Sequence, residues 1–169
     1  MKAIKFEGEI NNTSVKTLLN DIDKIDSNEN IVLYMSSSGG TCTDTNDLYD
    51  YINRFENRFE IVCNWEMSSA AFDLLLNVNC KILLNKDAFA IIHLFNNKLD
   101  YFELKDKNSV SIHLFRNLEM KNNEFISDLI RCGFSDYDIA RIKLGNDVII
   151  KSDKMKSMIQ ILNPKAKLL

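Results

Sequence analysis

The chain has 169 residues, 46% hydrophobic and 27% charged, which suits one compact domain, residues 1–169, with its own core. A net charge of −3 gives no long-range attraction to phosphate backbones or anionic bilayers, and no apolar run approaches the ~18 residues of a membrane span. These figures argue against nucleic-acid and membrane partners.

The amino-terminal MKAIKFEGEI carries charge every few residues and lacks the apolar stretch of a signal peptide, so a soluble cytoplasmic protein is expected. Residues 4–10 alternate apolar and polar as a strand does. Asn11 and Asn12 then turn into a segment from near Thr13 with Val15, Leu18, Leu19 and Ile22 at helical spacing. Residues 31–35 read as an apolar strand and Ser36 to Gly40 as a loop. Residues 44–55 follow as a helix with Leu48, Tyr51, Ile52 and Phe55 on one face. The acidic run within it, Asp47 and Asp50 included, reads as helix-terminal charge and a solvated face.

A third strand over residues 59–63 leads to a helix over 68–78 that is apolar nearly all round, as a buried helix is. Two short strands follow at 81–84 and 88–92. A long helix from about 107 to 131 carries Val110, Leu114, Leu118, Phe125, Leu129 and Ile130, and its length suits a projecting helix that pairs with a neighbouring copy. A short helix behind Ser135, a strand at 147–150 and a last helix from Ser152 complete the pattern. The cysteines, Cys42, Cys63, Cys80 and Cys132, make no CxxC pair and have no histidine at ligand spacing. Free thiols, no metal and no cofactor are expected.

Alternating strand and helix with short connections implies parallel strands joined by right-handed crossovers, with reactive groups at the strand carboxyl ends. Three segments fall there: YMSSSGG with the Gly39–Gly40 pair, EMSSAAFDLLL with serines opening a helix, and AFAIIH ending in His93. A serine hydroxyl becomes a useful nucleophile when a base takes its proton and backbone N–H groups hold the oxyanion that forms. Each residue also has a plainer role open to it: the serines as helix caps, His93 as a core residue, the glycines as loop formers. His113 in the long helix reads as structural.

In this order the segments resemble the proteolytic subunit of the Clp protease family, within the ClpP/crotonase fold, over about residues 4–162. IVLYMSSSGG is similar to the family's strand and Asn-Ser-Pro-Gly-Gly loop, LYDYI to the helix after it, SSAAFDLLL to the nucleophile helix, and AIIH to the strand that ends in the catalytic histidine. CGFSDYDIARIKLGND and DVIIKSDKM resemble the approach to the catalytic aspartate and the helix beyond it. The resemblance implies an α/β fold of stacked strand-helix units with a long helix used for oligomerisation. It implies Ser69 as nucleophile, His93 as base and Asp147 as orienting acid, with Gly39, Gly40 and the Ala70 N–H as oxyanion hole. Counting from Trp65 and Ala71 selects Ser69, whereas counting from Phe72 selects Ser68 as the alternative nucleophile.

Where the family has a glycine four residues before the nucleophile this chain has Trp65, and Ser36, Ser37 and Ser38 replace Asn-Ser-Pro. A large indole there either narrows a substrate groove or packs beneath it. LFNNKLDYFEL stands where the family's glycine-rich strand follows the histidine, which leaves the ring-to-ring contact open. The start of the chain close to its first fold strand leaves an AAA+ unfoldase partner open as well. The expectation is a serine-type endopeptidase acting on peptides or unfolded proteins inside a homo-oligomeric ring, by resemblance a heptamer or double ring. The alternative is a catalytically inactive Clp-fold assembly protein, and a third class is a crotonase-like acyl-CoA enzyme.

Overall fold

The structure, a computed structural model, describes residues 1–96 and 110–169. In chain order its elements are β1 (Lys2–Glu7), α1 (Asn12–Asp23), β2 (Ile31–Ser37), α2 (Cys42–Arg54), β3 (Phe59–Met67), α3 (Ala70–Asn77), β4 (Lys81–Leu84), β5 (Phe89–Ile92), α4 (Val110–Arg131), α5 (Asp136–Lys143), β6 (Val148–Lys151), α6 (Ser152–Leu162) and β7 (Lys167–Leu168). They fall into two compact units, one of residues 1–92 with 149–169 and the other of residues 93–148.

The first unit is built on parallel strands in the order β1-β2-β3-β4-β7, with β5 pairing both β3 and β6. The first four strands advance across the sheet in chain order, and right-handed crossovers then put α1, α2 and α3 on one face. Leu33 and Met35 on β2, Ile61 and Cys63 on β3, and Ile82 and Leu84 on β4 are buried; at the intervening positions Tyr34, Lys81 and Leu83 are exposed, while Val32 and Val62 are buried as well. Helix α3 is apolar except for a narrow side carrying Asp73 and the exposed Asn77, and it packs against α2 and α6 with Phe72, Leu74 and Leu75 buried. Each such side chain contributes about 1.5–3 kcal/mol of hydrophobic stabilisation.

Element bounds depart from the sequence expectation where capping or pairing decides them. Asn11 and Ser14 exchange side-chain-to-backbone hydrogen bonds at 3.0 Å, so α1 starts at Asn12 rather than near Thr13. The Thr41 hydroxyl accepts from the Asp44 N–H at 3.2 Å, which starts α2 at Cys42 in a polar turn that shows no apolar period. Gly8, at φ +105°, ends β1 before Ile10, which instead makes an isolated parallel bridge to Gly40. Strand β3 runs on to Met67 because, having paired with β4 as far as Cys63, it turns to pair Glu66 with Phe89 of β5. The two-residue β7 has no sequence signature. Of the expected long helix, residues 107–109 lie outside the described residues, and so does most of LFNNKLDYFEL.

In the second unit, Ile126 and Leu129 of α4 are buried while Val110, Leu114, Met120 and Ile130 are exposed. Phe95 is held to α4 by a reciprocal pair of bonds with the Asn122 amide at 2.8 and 3.0 Å and by an edge contact with Phe125. Ser135 caps α5, as its position before Asp136 suggests. Among the described residues no helix is long and apolar enough to cross a membrane.

Candidate active site

Strand β3 ends at Met67 and α3 begins at Ala70, so the reversal is made by Ser68 and Ser69 alone. Ser69 takes φ +52° and ψ −129°, and among the described residues it is the one non-glycine residue with positive φ. That region costs an L-residue on the order of 1–3 kcal/mol and persists where the surroundings over-determine it. Here they do. The Ser68 N–H donates to Ser37 O at 2.9 Å, the Ser69 N–H donates to Ile91 O at 3.1 Å, and the Ser69 carbonyl accepts from the Phe72 and Asp73 N–H groups.

The two serines have different surroundings. Ser68 is buried, and its hydroxyl accepts the Ile91 N–H at 2.9 Å. Ser69 is half-buried, makes no capping bond to α3, and stands at that helix's amino terminus, where the free N–H groups and the dipole favour negative charge.

The glycine loop lies directly against this turn. A Cβ built on Gly39 would stand 2.7 Å from Ser69 Cβ, 2.8 Å from Ser68 O and 3.1 Å from Ala70 N, so only glycine fits. Gly39 is not the free donor expected of it, because its N–H bonds Ser37 Oγ at 3.1 Å. Gly40 is exposed at φ +155°, and a Cβ there would fall 1.9 Å from Ile10 O. The N–H groups of Gly40 and Ala70 have no partner among the described residues. The motif reading gave Ser37 no role beyond standing with Ser36 and Ser38 in place of Asn-Ser-Pro. Its buried hydroxyl restrains the loop locally, the service proline's fixed φ gives the family motif.

Trp65 stands on the outer part of β3, 58% exposed, with its ring edge-to-face on Phe89 at 5.8 Å. Lys151 lies 5.7 Å over the same Phe89 ring. The indole therefore does not pack beneath the serine turn.

His93 and Asp147 belong to the second unit. His93 directly follows β5, and its Nδ1 lies 2.8 Å from the carbonyl oxygen of Leu94. Asp147 precedes β6 rather than lying in it; its side chain is exposed and its backbone carbonyl accepts from Arg141 Nη2 at 3.0 Å. Among the described residues no ion pair joins Asp147 to His93. With its proton on Nδ1, His93 donates to Leu94 O and keeps Nε2 as an acceptor. Among the described residues there is also no cluster of acid, histidine and cysteine side chains able to hold a metal.

The strand order, the one-sided helix layer and the serine at a helix start define a ClpP/crotonase-like fold. The structure of a ClpP1 point mutant from Listeria monocytogenes resembles this chain with a TM-score of 0.65 at 17% identity, over 99% of this chain and 90% of the other. The family model described as Clp protease matches residues 2–93, and the chain belongs to that family. The matched stretch contains Gly39, Gly40, Ser68 and Ser69 and ends on His93; Asp147 lies beyond it. No curated protein matches the sequence.

Proposed function

We propose that the chain is a serine-type endopeptidase that cuts peptides and unfolded proteins within a homo-oligomeric ring, with Ser69 as nucleophile. The observation that carries this reading is the backbone of Ser69, a strained non-glycine residue at the start of a buried helix, with Gly39 pressed on its Cβ. Strain of this kind at a hydroxyl-bearing residue suits a turn that presents a nucleophile. The engagement of Ser68 Oγ with the Ile91 N–H supports Ser69 over Ser68.

In this mechanism Ser69 Oγ attacks the scissile carbonyl carbon while His93 Nε2 takes its proton. The unpartnered N–H groups of Ala70 and Gly40 receive the oxyanion, with Gly39 serving as spacer rather than donor. Collapse breaks the C–N bond, the leaving amine takes the proton from His93, and water then hydrolyses the acyl-enzyme with His93 again as base. Asp147 orients His93 once the ring's Nδ1 exchanges Leu94 O for the carboxylate. Ring assembly supplies that rearrangement and confines the site.

The second reading is an inactive Clp-fold assembly protein, favoured by the exposed Asp147 carboxylate and by the engagement of His93 with its neighbour's carbonyl. Intact-mass labelling with a fluorophosphonate on size-fractionated protein separates the two. A single adduct, lost in Ser69→Ala and kept in Ser68→Ala, is the expected result; no adduct in any oligomeric fraction rejects the peptidase.

A further inference from the structure

We infer that Ser68 is a positioning residue whose hydroxyl clamps the nucleophile turn to β5, two residues before His93. The inference rests on the reading of Ser69 as nucleophile and adds a role for its neighbour. It begins from the ladder between β3 and β5, in which Glu66 stands opposite Phe89, so that continuing the parallel register brings Ser68 opposite Ile91. At Ser68 the chain must leave the strand and open α3, and its carbonyl turns into that helix to accept the Ala71 N–H at 3.0 Å. The backbone of Ser68 therefore has no acceptor left for the ladder.

Its side chain takes the place. Ile91 donates its N–H to Ser68 Oγ at 2.9 Å and accepts the Ser69 N–H on its carbonyl at 3.1 Å, so one residue of β5 is held at both of its backbone groups by the two serines of the turn. Ser68 is 2% exposed, which keeps water from substituting for the hydroxyl. The strand so clamped runs one residue further, to Ile92, before His93 begins the second unit. An alanine at 68 leaves the Ile91 N–H without its acceptor and the turn with a single tether to β5, the Ser69 N–H on Ile91 O. The strained Ser69 backbone is then free to relax.

The test compares wild type, Ser68→Ala and Ser68→Thr, the last retaining an Oγ, by fluorophosphonate labelling rate, by thermal midpoint and by hydrogen exchange at the Ile91 amide. The expected result is a roughly tenfold or greater fall in labelling rate at Ser69 in Ser68→Ala, because small misplacements of reacting groups cost rate steeply. Faster Ile91 exchange accompanies it, and Ser68→Thr restores both. A merely space-filling serine predicts a lower thermal midpoint with the labelling rate unmoved, and that result overturns the inference. If wild-type protein takes no label, the nucleophile reading fails by itself and exchange alone decides the clamp: unchanged Ile91 exchange in Ser68→Ala refutes it, and faster exchange reversed by threonine upholds it.

Discussion

Gly39 and Gly8 share a φ of +105°, yet a Cβ on Gly8 meets nothing within 4 Å whereas one on Gly39 meets three atoms of the serine turn at 2.7, 2.8 and 3.1 Å. Alanine at each position therefore separates backbone strain from crowding. Both substitutions carry the strain of an L-residue in that region, about 1–3 kcal/mol, and both recover the same few tenths from a stiffer unfolded chain. Gly39→Ala alone adds overpacking against Ser68 O and Ala70 N, backbone atoms that cannot swing aside, worth about 1–3 kcal/mol more. In a chain of this length each kcal/mol lowers the midpoint by about 2–4 °C, so Gly39→Ala should melt roughly 2–12 °C below Gly8→Ala. Thermal unfolding followed by circular dichroism, with fluorophosphonate labelling on the same samples, makes the comparison. Labelling should vanish or fall steeply in Gly39→Ala and persist in Gly8→Ala. Equal melting of the two variants with wild-type labelling in both would refute the packing of the glycine loop against the serine turn.

Other substitutions probe the scaffold. Arg58 donates to the carbonyls of Glu29, Ile25 and Asp26 at 2.8, 3.1 and 2.8 Å, and Arg58→Ala should cost about 1.5–3 kcal/mol in urea unfolding. Asn163, buried after α6, donates to Val78 O at 2.7 Å; Asn163→Ala orphans that carbonyl and should cost about 1–3 kcal/mol by the same assay. Burial pushes the Cys80 thiol up to about 12 and the Cys63 thiol higher still. Between the ordinary thiol range and those values the unfolded chain loses protons that the folded chain keeps. Stability is thus whole at neutral pH and falls as pH rises from about 9 towards 12, by up to about 1.4 kcal/mol per pH unit for each thiol. Cys80→Ala should flatten that slope, and a slope unchanged in the variant would show that Cys80 contributes nothing to it.

The strand-helix alternation and the parallel sheet were legible because the apolar periods are strong and the connections short. What pattern could not supply was the work of single polar groups. The polar first turn of α2 hid its start at Cys42, and the exchange between Asn11 and Ser14 moved the start of α1. The continuation of β3 beyond Cys63 depends on a change of partner from β4 to β5, a tertiary event without local signature. At the site, the motif singled out both serines and both glycines and favoured Ser69 over Ser68 as nucleophile, but it carried no information on how each group is engaged. The difference between Ser68 and Ser69 lies in which hydroxyl meets the Ile91 N–H. The engagement of the Gly39 N–H depends on Ser37, whose side chain was read merely as one of three residues replacing the family's Asn-Ser-Pro.

The backbone of Ser69 also sets stability against retention of the site. At φ +52° and ψ −129° glycine is the better-suited residue, and relief of strain on the order of 1–3 kcal/mol should outweigh glycine's extra freedom in the unfolded chain. Ser69→Gly is therefore expected to melt higher than the parent while losing its hydroxyl. Loss of that hydroxyl would be thermodynamically downhill for the fold, so selection for stability alone would tend to erase this serine.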